Sequence, residues 1–445
     1  MNKGILLLMA AALLALLAGC SSTDRDDSGG ESDVDADGDG DADGDGDADS
    51  DSDSDTEIPD GATTLSGVVM APSETYPIPG ALVYLTTGDA SEIPDHVFCY
   101  DCEDMTGKKW TLSEPDGSWK LENVPAGTWN IVTRKGFFQR QREITVEGES
   151  SEDVPMEITK LPRSDSGDGL DRIPNYAVAL NSWDRPHNLL AKLGVGELGS
   201  DGELVFGTEN FDIFNDDVTE PGYPDSSQIY ASQETLEHYH MVFMPCTASH
   251  LKYGTTHPAL ETTETRSMIR DYVAAGGKFY GTCYGYDWIE KPFPEYIEFP
   301  GDDAAMLDST HSPWDGPTVI EEQDLRDWLQ VVTTENMDSF YISGAWTHGE
   351  HTNDVNDGMG LEENDGWVKP TTWVSGANAS WNCSQGIDGR CPMTVTYNFG
   401  CGKIFFSAYQ VVESTSSVQI RPQEYVLLYL ILEVGVCEGD YVPPE

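Results

Sequence analysis

Apolar residues follow two different patterns along the chain, and the pattern changes near residue 165. Between residues 62 and 161, short strand-like runs at 64–70, 81–85 and 110–112 recur at the spacing of a small β-sandwich. The pair Asp116-Gly117 predicts a hairpin turn between two alternating runs. After residue 171, strand and helix patterns alternate, and this alternation favours a parallel sheet with right-handed crossovers.

The second region contains predicted elements of both types. Its predicted strands are 176–180, 211–214, 241–244 and 278–280, followed by a hairpin of 394–397 with 403–409. Helices are predicted at 188–194 and at 424–434, where a broad apolar face is expected to pack on the sheet. Ligands of such sheets gather at the carboxyl ends of the strands.

One stretch of this region carries candidate chemistry. Residues 268–274 have helical spacing, and Gly276 and Gly277 are suited to end that helix. A short strand and the sequence Gly-Thr-Cys-Tyr-Gly follow, so the chain is expected to turn sharply with Cys283 at the apex. A thiol at such an elbow is either a nucleophile or a replacement for one.

The N-terminus is typical of an exported protein. A short basic region precedes an apolar run at 5–17 that is too short to span a bilayer, so residues 1–19 are predicted to be a removable signal peptide. Residues 17–20, Leu-Ala-Gly-Cys, resemble a bacterial lipobox, which implies cleavage before Cys20 and acylation of its thiol. Because Ser21 and Ser22 follow, the resemblance implies insertion in the outer membrane bilayer; which face of that membrane is left open.

The segment 20–61 is predicted to be an extended, disordered acidic tether. Every second residue from Asp33 to Asp55 is aspartate, and the run resembles the start of a calcium-binding EF-hand loop. The closing glutamate is missing, because the twelfth positions are Gly44, Gly46 and Ser52. Residues 24–60 contain 18 acidic side chains and one arginine, so about −38 of the formal charge of −55 belongs to the rest of the chain. This charge argues against nucleic acid as a partner.

Residues 62–161 resemble the carboxypeptidase regulatory-like domain, a transthyretin-like (prealbumin) sandwich. The residues that carry the resemblance are 66–69 (Ser-Gly-Val-Val), 79–83 (Pro-Gly-Ala-Leu-Val), 116–119 (Asp-Gly-Ser-Trp) and 121–129 (Leu-Glu-Asn-Val-Pro-Ala-Gly-Thr-Trp). In that family the module is usually a spacer or a binding accessory, so no catalysis is expected from it.

After a linker at 162–170, residues 171–437 resemble the class I glutamine amidotransferase-like superfamily, and residues 438–445 form a tail. The resemblance depends on Pro245-Cys246 after the third strand, on the elbow at 281–285 and on 401–409. The expected fold is therefore multidomain: an all-β prealbumin-like sandwich followed by an α/β doubly wound, flavodoxin-like domain.

The resemblance implies a catalytic triad. Cys283 would be the nucleophile, and His348 and Glu350 have the spacing of its base and orienting carboxylate. Two departures weaken this hypothesis. The glycine pair that supplies an oxyanion donor is replaced by Pro245-Cys246, and Gln410 stands where some relatives have a histidine.

The eight cysteines beyond Cys20 are disulfide candidates, because export leads to an oxidising compartment. Cys246 and Cys283 end neighbouring predicted strands, so their sulfurs are expected within bonding range. Parity permits other connectivities, but the simplest set is Cys99 with Cys102, Cys383 with Cys391, Cys401 with Cys437, and Cys246 with Cys283.

Other side chains suggest sites without defining them. His348 and His351, with His238 and His240, lack the spacing of a zinc motif, and no metal or cofactor is predicted. Aromatic residues in the loops either stack on sugars or peptides, or close the ends of the loops; the second interpretation is favoured. These residues are Trp183, Trp288, Trp314 and Trp346.

The sequence therefore predicts an acylated outer-membrane lipoprotein with a non-catalytic binding or interaction role and a degenerate amidotransferase-like domain. Its expected partners are the lipid bilayer and an envelope glycan or protein. The alternative is a cysteine-dependent hydrolase or amidase that uses Cys283 with His348 and Glu350.

Overall fold

Eight short strands in the first part of the chain form two sheets. The computed structural model describes residues 58–100, 102–246, 257–300, 314–360, 364–411 and 418–437. The strands are β1 Thr63–Val68, β2 Leu82–Thr86, β3 Lys109–Leu112, β4 Ser118–Val124, β5 Gly127–Lys135, β6 Phe138–Val146, β7 Ser151–Asp153 and β8 Asp171–Arg172. One sheet has the order β4-β1-β7 and the other the order β3-β2-β5-β6-β8. This part of the chain is sheet-rich, as predicted.

Alternation of side chains explains how these strands form a core. In β4, Trp119 and Leu121 are buried while Lys120 and Glu122 are exposed, because successive side chains of a strand point to opposite faces. The turn at Gly117 forms with a φ of +76°, which favours glycine. The predicted hairpin is wrong, however, since the strands on either side of this turn, β3 and β4, join different sheets.

The second part of the chain contains a nine-stranded sheet of order β10-β9-β11-β12-β21-β20-β19-β14-β15. Its strands are β9 Tyr176–Leu180, β10 Asp212–Asn215, β11 Met241–Met244, β12 Lys278–Thr282, β14 Trp314–Ile320, β15 Phe340–Ala345, β19 Thr371–Gly376, β20 Cys391–Phe399 and β21 Gly402–Ser407. The first five strands of this order pair in parallel. The remaining strands pair antiparallel, including the predicted hairpin of β20 and β21.

Two small ribbons, seven α-helices and four short 3-10 helices complete the described elements. The ribbons pair β13 Ile297–Glu298 with β16 His351–Thr352, and β17 Val355–Asn356 with β18 Trp367–Val368. The helices are α1 Met156–Thr159, α2 Pro186–Leu193, α3 Gln233–Glu237, α4 Thr263–Ala274, α5 Asp287–Glu290, α6 Gln323–Val332 and α7 Pro422–Glu433. Left-handed glycines follow α2 and α4, at Gly194 and Gly276. Within the described ranges, no helix has both the length and the apolar character of a membrane span.

The described residues all belong to one compact unit, Asp55–Glu445. On one side of the junction between the sheets, the Trp328 indole donates a hydrogen bond to the Pro77 carbonyl oxygen at 2.9 Å. On another, Lys135 and Glu433 form an ion pair at 2.8 Å. His240 adds a third link, since its Nδ1 accepts from the Asn175 N–H and its Nε2 contacts the Pro94 carbonyl, each at 2.9 Å. The predicted domain boundaries stay predictions.

The disulfides correct two of the predicted pairings. Cys383 is bonded to Cys391, as predicted, but Cys99 is bonded to Cys401 and Cys102 to Cys437. The pairs Cys99–Cys102 and Cys401–Cys437 were therefore wrong. The physical reason is that the connection between β2 and β3 lies against the nine-stranded part of the fold, where the Val97 N–H donates to the Glu237 carbonyl oxygen at 2.8 Å. Its two thiols consequently meet partners across this contact.

Candidate functional site

The elbow after β12 has a left-handed backbone conformation at its apex, with Cys283 at a φ of +51°. A residue other than glycine seldom adopts this left-handed conformation. The glycines on either side permit the turn: a Cβ at Gly281 would lie 2.9 Å from Ile289 Cδ1, and one at Gly285 would lie 2.8 Å from the Met244 carbonyl oxygen. The sequence predicted both the apex and the glycines that allow it.

The side chain at this apex is buried, however, and it contacts a second thiol. The pairing of β11 with β12 places Met244 opposite Gly281, so Cys246 and Cys283 follow at the same level. Their sulfurs lie 3.0 Å apart, and both residues are at most 1% exposed. Both are free thiols in this structure. The predicted proximity of these cysteines is thus present, while a bond between them stays a prediction.

Besides Cys246, the side chain of Gln410 also contacts the Cys283 sulfur. Its Nε2 lies 3.6 Å from Cys283 Sγ, and its backbone carbonyl oxygen accepts a hydrogen bond from Gln423 Nε2 at 2.7 Å. A side-chain amide has no basic nitrogen, so it cannot remove a proton from the thiol. The residue that replaces the expected histidine therefore contacts the sulfur without being able to activate it.

Burial also opposes formation of a thiolate at Cys283. It raises the pKa of the thiol well above its usual value, and Cys246 and the nearby Asp184 raise it further. A hydrogen bond with the Tyr284 backbone lowers the pKa, but by less than burial and Cys246 raise it. Since the thiolate is the nucleophilic form, this environment favours an inert thiol at neutral pH.

The two other residues of the predicted triad contact the loop that follows β19. The His348 ring stacks on Trp381 with centroids 4.2 Å apart, and Glu350 Oε2 accepts a hydrogen bond from Asn382 at 3.0 Å. The segment passes the elbow at Trp346, whose ring packs against the cluster of Cys246, Cys283 and Tyr284. The triad itself stays a prediction.

The other candidate ligands and aromatic residues are divided between core and surface. Trp288 is buried beside Tyr230 and His257, while Trp183 is 52% exposed at the end of β9. Trp314 packs on Trp381. In the part of the chain that the structure describes, no three His, Cys, Asp or Glu side chains are arranged to hold a metal ion.

Asp184, a buried carboxylate near the elbow, was not predicted from the sequence as a site residue. Asp184 follows β9 and accepts hydrogen bonds from the Thr282 hydroxyl and from the Val411 N–H, the latter at 2.8 Å. It thereby connects the ends of three segments of the fold. Burial raises its pKa to about 6, although these hydrogen bonds act in the opposite direction. An aspartate between a buried strand and the proline that begins the next helix was the available signal.

The fold also contains a large cavity away from the elbow. Its volume is about 1130 Å³. One wall comes from the segment between β1 and β2, at Ser73 and Glu74, and the other comes from the residues that follow α2 and α6, at Gly196 and Thr333. Its wall includes 418–420, directly after residues outside the described ranges.

Comparisons with known proteins give no family. Neither a family model nor a curated protein matches the chain. Similar solved structures include a cytoplasmic protein from Salmonella typhimurium, with 11% identity and a TM-score of 0.32 over 59% of this chain and 99% of that one. They also include 5-hydroxyisourate hydrolase from Klebsiella pneumoniae, a transthyretin-like fold, with 17% identity and a TM-score of 0.14 over 21% of this chain and 86% of that one.

A third similar structure is the major pilin subunit of Bacillus cereus, with 11% identity and a TM-score of 0.17. The match covers 23% of this chain and only 30% of the pilin. These likenesses are weak and concern all-β folds in part, and they carry no argument about activity.

Replacing Asp184 by asparagine tests the role of this buried group. Because the pKa of Asp184 in the folded protein lies above that of an exposed aspartate, its contribution to stability is present at low pH and is lost as the pH rises through about 6. We expect Asp184→Asn to be more stable than the parent at alkaline pH, by about 1–3 kcal/mol, and this gain to shrink at acidic pH. Chemical denaturation of both proteins across this pH range measures it.

The matched control is Asp217→Asn, which changes an exposed aspartate that bonds to Ser182 at the same end of the sheet. It should bring no gain in stability at alkaline pH, because the carboxylate that it removes is exposed. If Asp184→Asn is less stable than the parent at alkaline pH, the ionised carboxylate is stabilising and the account of this residue is wrong.

Proposed function

We propose that this chain is a non-catalytic binding or interaction protein of the bacterial envelope. The observation that carries the proposal is the buried contact of Cys283 with Cys246 and Gln410. A cysteine nucleophile requires a thiolate, a neighbouring base and access to its substrate. The surroundings of Cys283 oppose the first and third of these requirements, and Gln410 cannot provide the second.

We also propose that residues 171–437 contain a degenerate amidotransferase-like domain of flavodoxin-like, doubly wound type. The order of the parallel strands supports this assignment. Numbered along the chain, β9, β10, β11, β12 and β21 lie in the order 2-1-3-4-5, which is the flavodoxin-like order. Asp184, Cys246 and Cys283 follow strands 1, 3 and 4, so they gather where ligands of such sheets bind.

The alternative, a cysteine-dependent hydrolase or amidase, is favoured by one observation. Cys283 keeps the left-handed φ of +51° that a nucleophile at an elbow adopts, although such a conformation is strained. In that case His348 would be the base and Glu350 its orienting carboxylate. The two proposals differ in whether the Cys283 sulfur reacts in the native protein.

Alkylation with and without a reductant separates the two proposals. Without reductant, we expect neither Cys246 nor Cys283 of the native protein to react with iodoacetamide, because an oxidising compartment joins sulfurs at this separation. Peptide mapping by mass spectrometry should recover the two residues as a linked pair. Cys383 and Cys391 serve as an internal control for a bonded pair.

Two other outcomes are informative. If both thiols react only after denaturation without reductant, they are buried but unbonded, and the predicted disulfide is wrong. If Cys283 reacts rapidly in the native protein at neutral pH without reductant, the non-catalytic proposal fails and the hydrolase alternative is favoured.

We propose further that acylated Cys20 holds the protein in the outer membrane, with residues 20–61 as a tether. These residues lie outside the described ranges, so the proposal depends on the lipobox-like sequence. Cys20→Ser should abolish incorporation of labelled palmitate and release the protein from the membrane fraction. Cys99→Ser is a control that removes another cysteine, and it should leave the label in place. A Cys20→Ser protein that still sediments with outer membranes would contradict the anchor.

A further inference from the structure

A small cleft, remote in sequence from the elbow, combines aromatic rings with polar side chains. It has a volume of about 170 Å³ and lies beside β18, β19 and β20, close to the end of α7. Two tryptophans, two lysines and two asparagines contribute to its lining: Trp367, Trp373, Lys369, Lys403, Asn364 and Asn398. We call it the Trp367 cleft.

The two tryptophans of the Trp367 cleft are held differently. The Trp373 indole donates a hydrogen bond to Thr396 Oγ1 at 2.7 Å, and its ring packs 5.9 Å from that of Tyr429, so its position is fixed. Trp367 is 41% exposed. A large ring is seldom left this exposed, and its flat apolar face is available to a ligand.

The charge of the cleft is opposite to that of the chain. The whole sequence has 24 Lys and Arg residues against 79 Asp and Glu residues, yet Lys369 and Lys403 both line this cleft. Glu433 is the one carboxylate among its lining residues; it forms an ion pair with Lys135 at 2.8 Å, and Lys403 also attracts it. The cleft is therefore suited to an anion, which most of the acidic surface would repel.

These features together match the chemistry of a sugar that carries a carboxylate. A pyranose ring presents an apolar face of C–H groups that stacks on an aromatic ring, and hydroxyls around its edge that bond to amides and lysines. We propose that the Trp367 cleft binds an acidic saccharide, with Trp367 against the sugar face and Lys369 facing its carboxylate. This inference rests on the proposed binding role and names the class of ligand.

Binding of a defined acidic oligosaccharide tests the proposal. The probe is hexagalacturonate, and the neutral comparison is cellohexaose, each titrated calorimetrically into the purified full-length chain. We expect hexagalacturonate to bind about ten-fold more tightly than cellohexaose, and added salt to weaken its binding.

Three variants locate the binding site. Trp367→Ala should weaken binding of hexagalacturonate by about ten-fold or more, and Lys369→Gln should weaken it less and reduce its dependence on salt. Tyr341→Ala is the matched control, because Tyr341 is an aromatic residue that is 51% exposed and does not line the cleft. It should bind as the parent does. Circular dichroism of each variant establishes that it is folded.

Several outcomes would overturn the proposal. The first is that the parent does not bind hexagalacturonate, and the second is that Trp367→Ala binds it as tightly as the parent does. The third is that the parent binds cellohexaose as tightly as hexagalacturonate. The fourth is that it binds a polyglutamate peptide as tightly as hexagalacturonate, which would indicate an anionic peptide ligand instead. The titration does not involve Cys283. A reactive Cys283 with saccharide binding intact would reject only the non-catalytic role, whereas an inert Cys283 without saccharide binding would reject only the cleft.

Discussion

The parallel pairing of β11 with β12 is the constraint on which the interpretation of the elbow depends. It places the chain after each strand at the same level, so Cys246 and Cys283 face one another with their sulfurs 3.0 Å apart. Gly285 permits this approach, because a Cβ there would meet the Met244 carbonyl oxygen. The apex, where a nucleophile would have to be accessible to react, is here covered by a second thiol and by Gln410.

The covalent links between the two parts of the chain are a second constraint. The disulfides Cys99–Cys401 and Cys102–Cys437 join residues 302 and 335 positions apart. They therefore close long loops in the unfolded chain and reduce its conformational entropy. The Lys135–Glu433 ion pair lies in the same junction. The part of the chain that forms β1–β8 is therefore held against the nine-stranded sheet. Glu433 contributes both to this junction and to the lining of the Trp367 cleft.

Local patterns predicted much of the fold, because they depend on neighbouring residues. The strands predicted at 241–244 and 278–280, the helix that ends before Gly194, and the β20–β21 hairpin all follow from periodicity and glycine positions. Contacts that depend on distant residues were less predictable. Cys99 and Cys102 were assigned to one another because they are close in sequence, whereas the fold brings each to a partner across the junction.

The candidate site shows the same division. Cys283 and its glycines were recognised from the sequence, and the proximity of Cys246 followed from the expected order of strands. Asp184 was not predicted because its place between a buried strand and a helix does not by itself reveal that its side chain is buried. That burial depends on Thr282 and Val411, which are distant in sequence. The lining of the Trp367 cleft, likewise, is assembled from several segments.

The most direct test of the central claim, that Cys283 is not an activated nucleophile, is the pH dependence of its alkylation in the reduced, native protein. The rate of reaction with iodoacetamide at Cys283 would be measured by mass spectrometry from pH about 6 to about 10. The account predicts negligible labelling at neutral pH and an increase only at alkaline pH, because burial and Cys246 disfavour the thiolate. A rate that is already half-maximal below pH about 7 would contradict it, since it requires a base that activates the thiol.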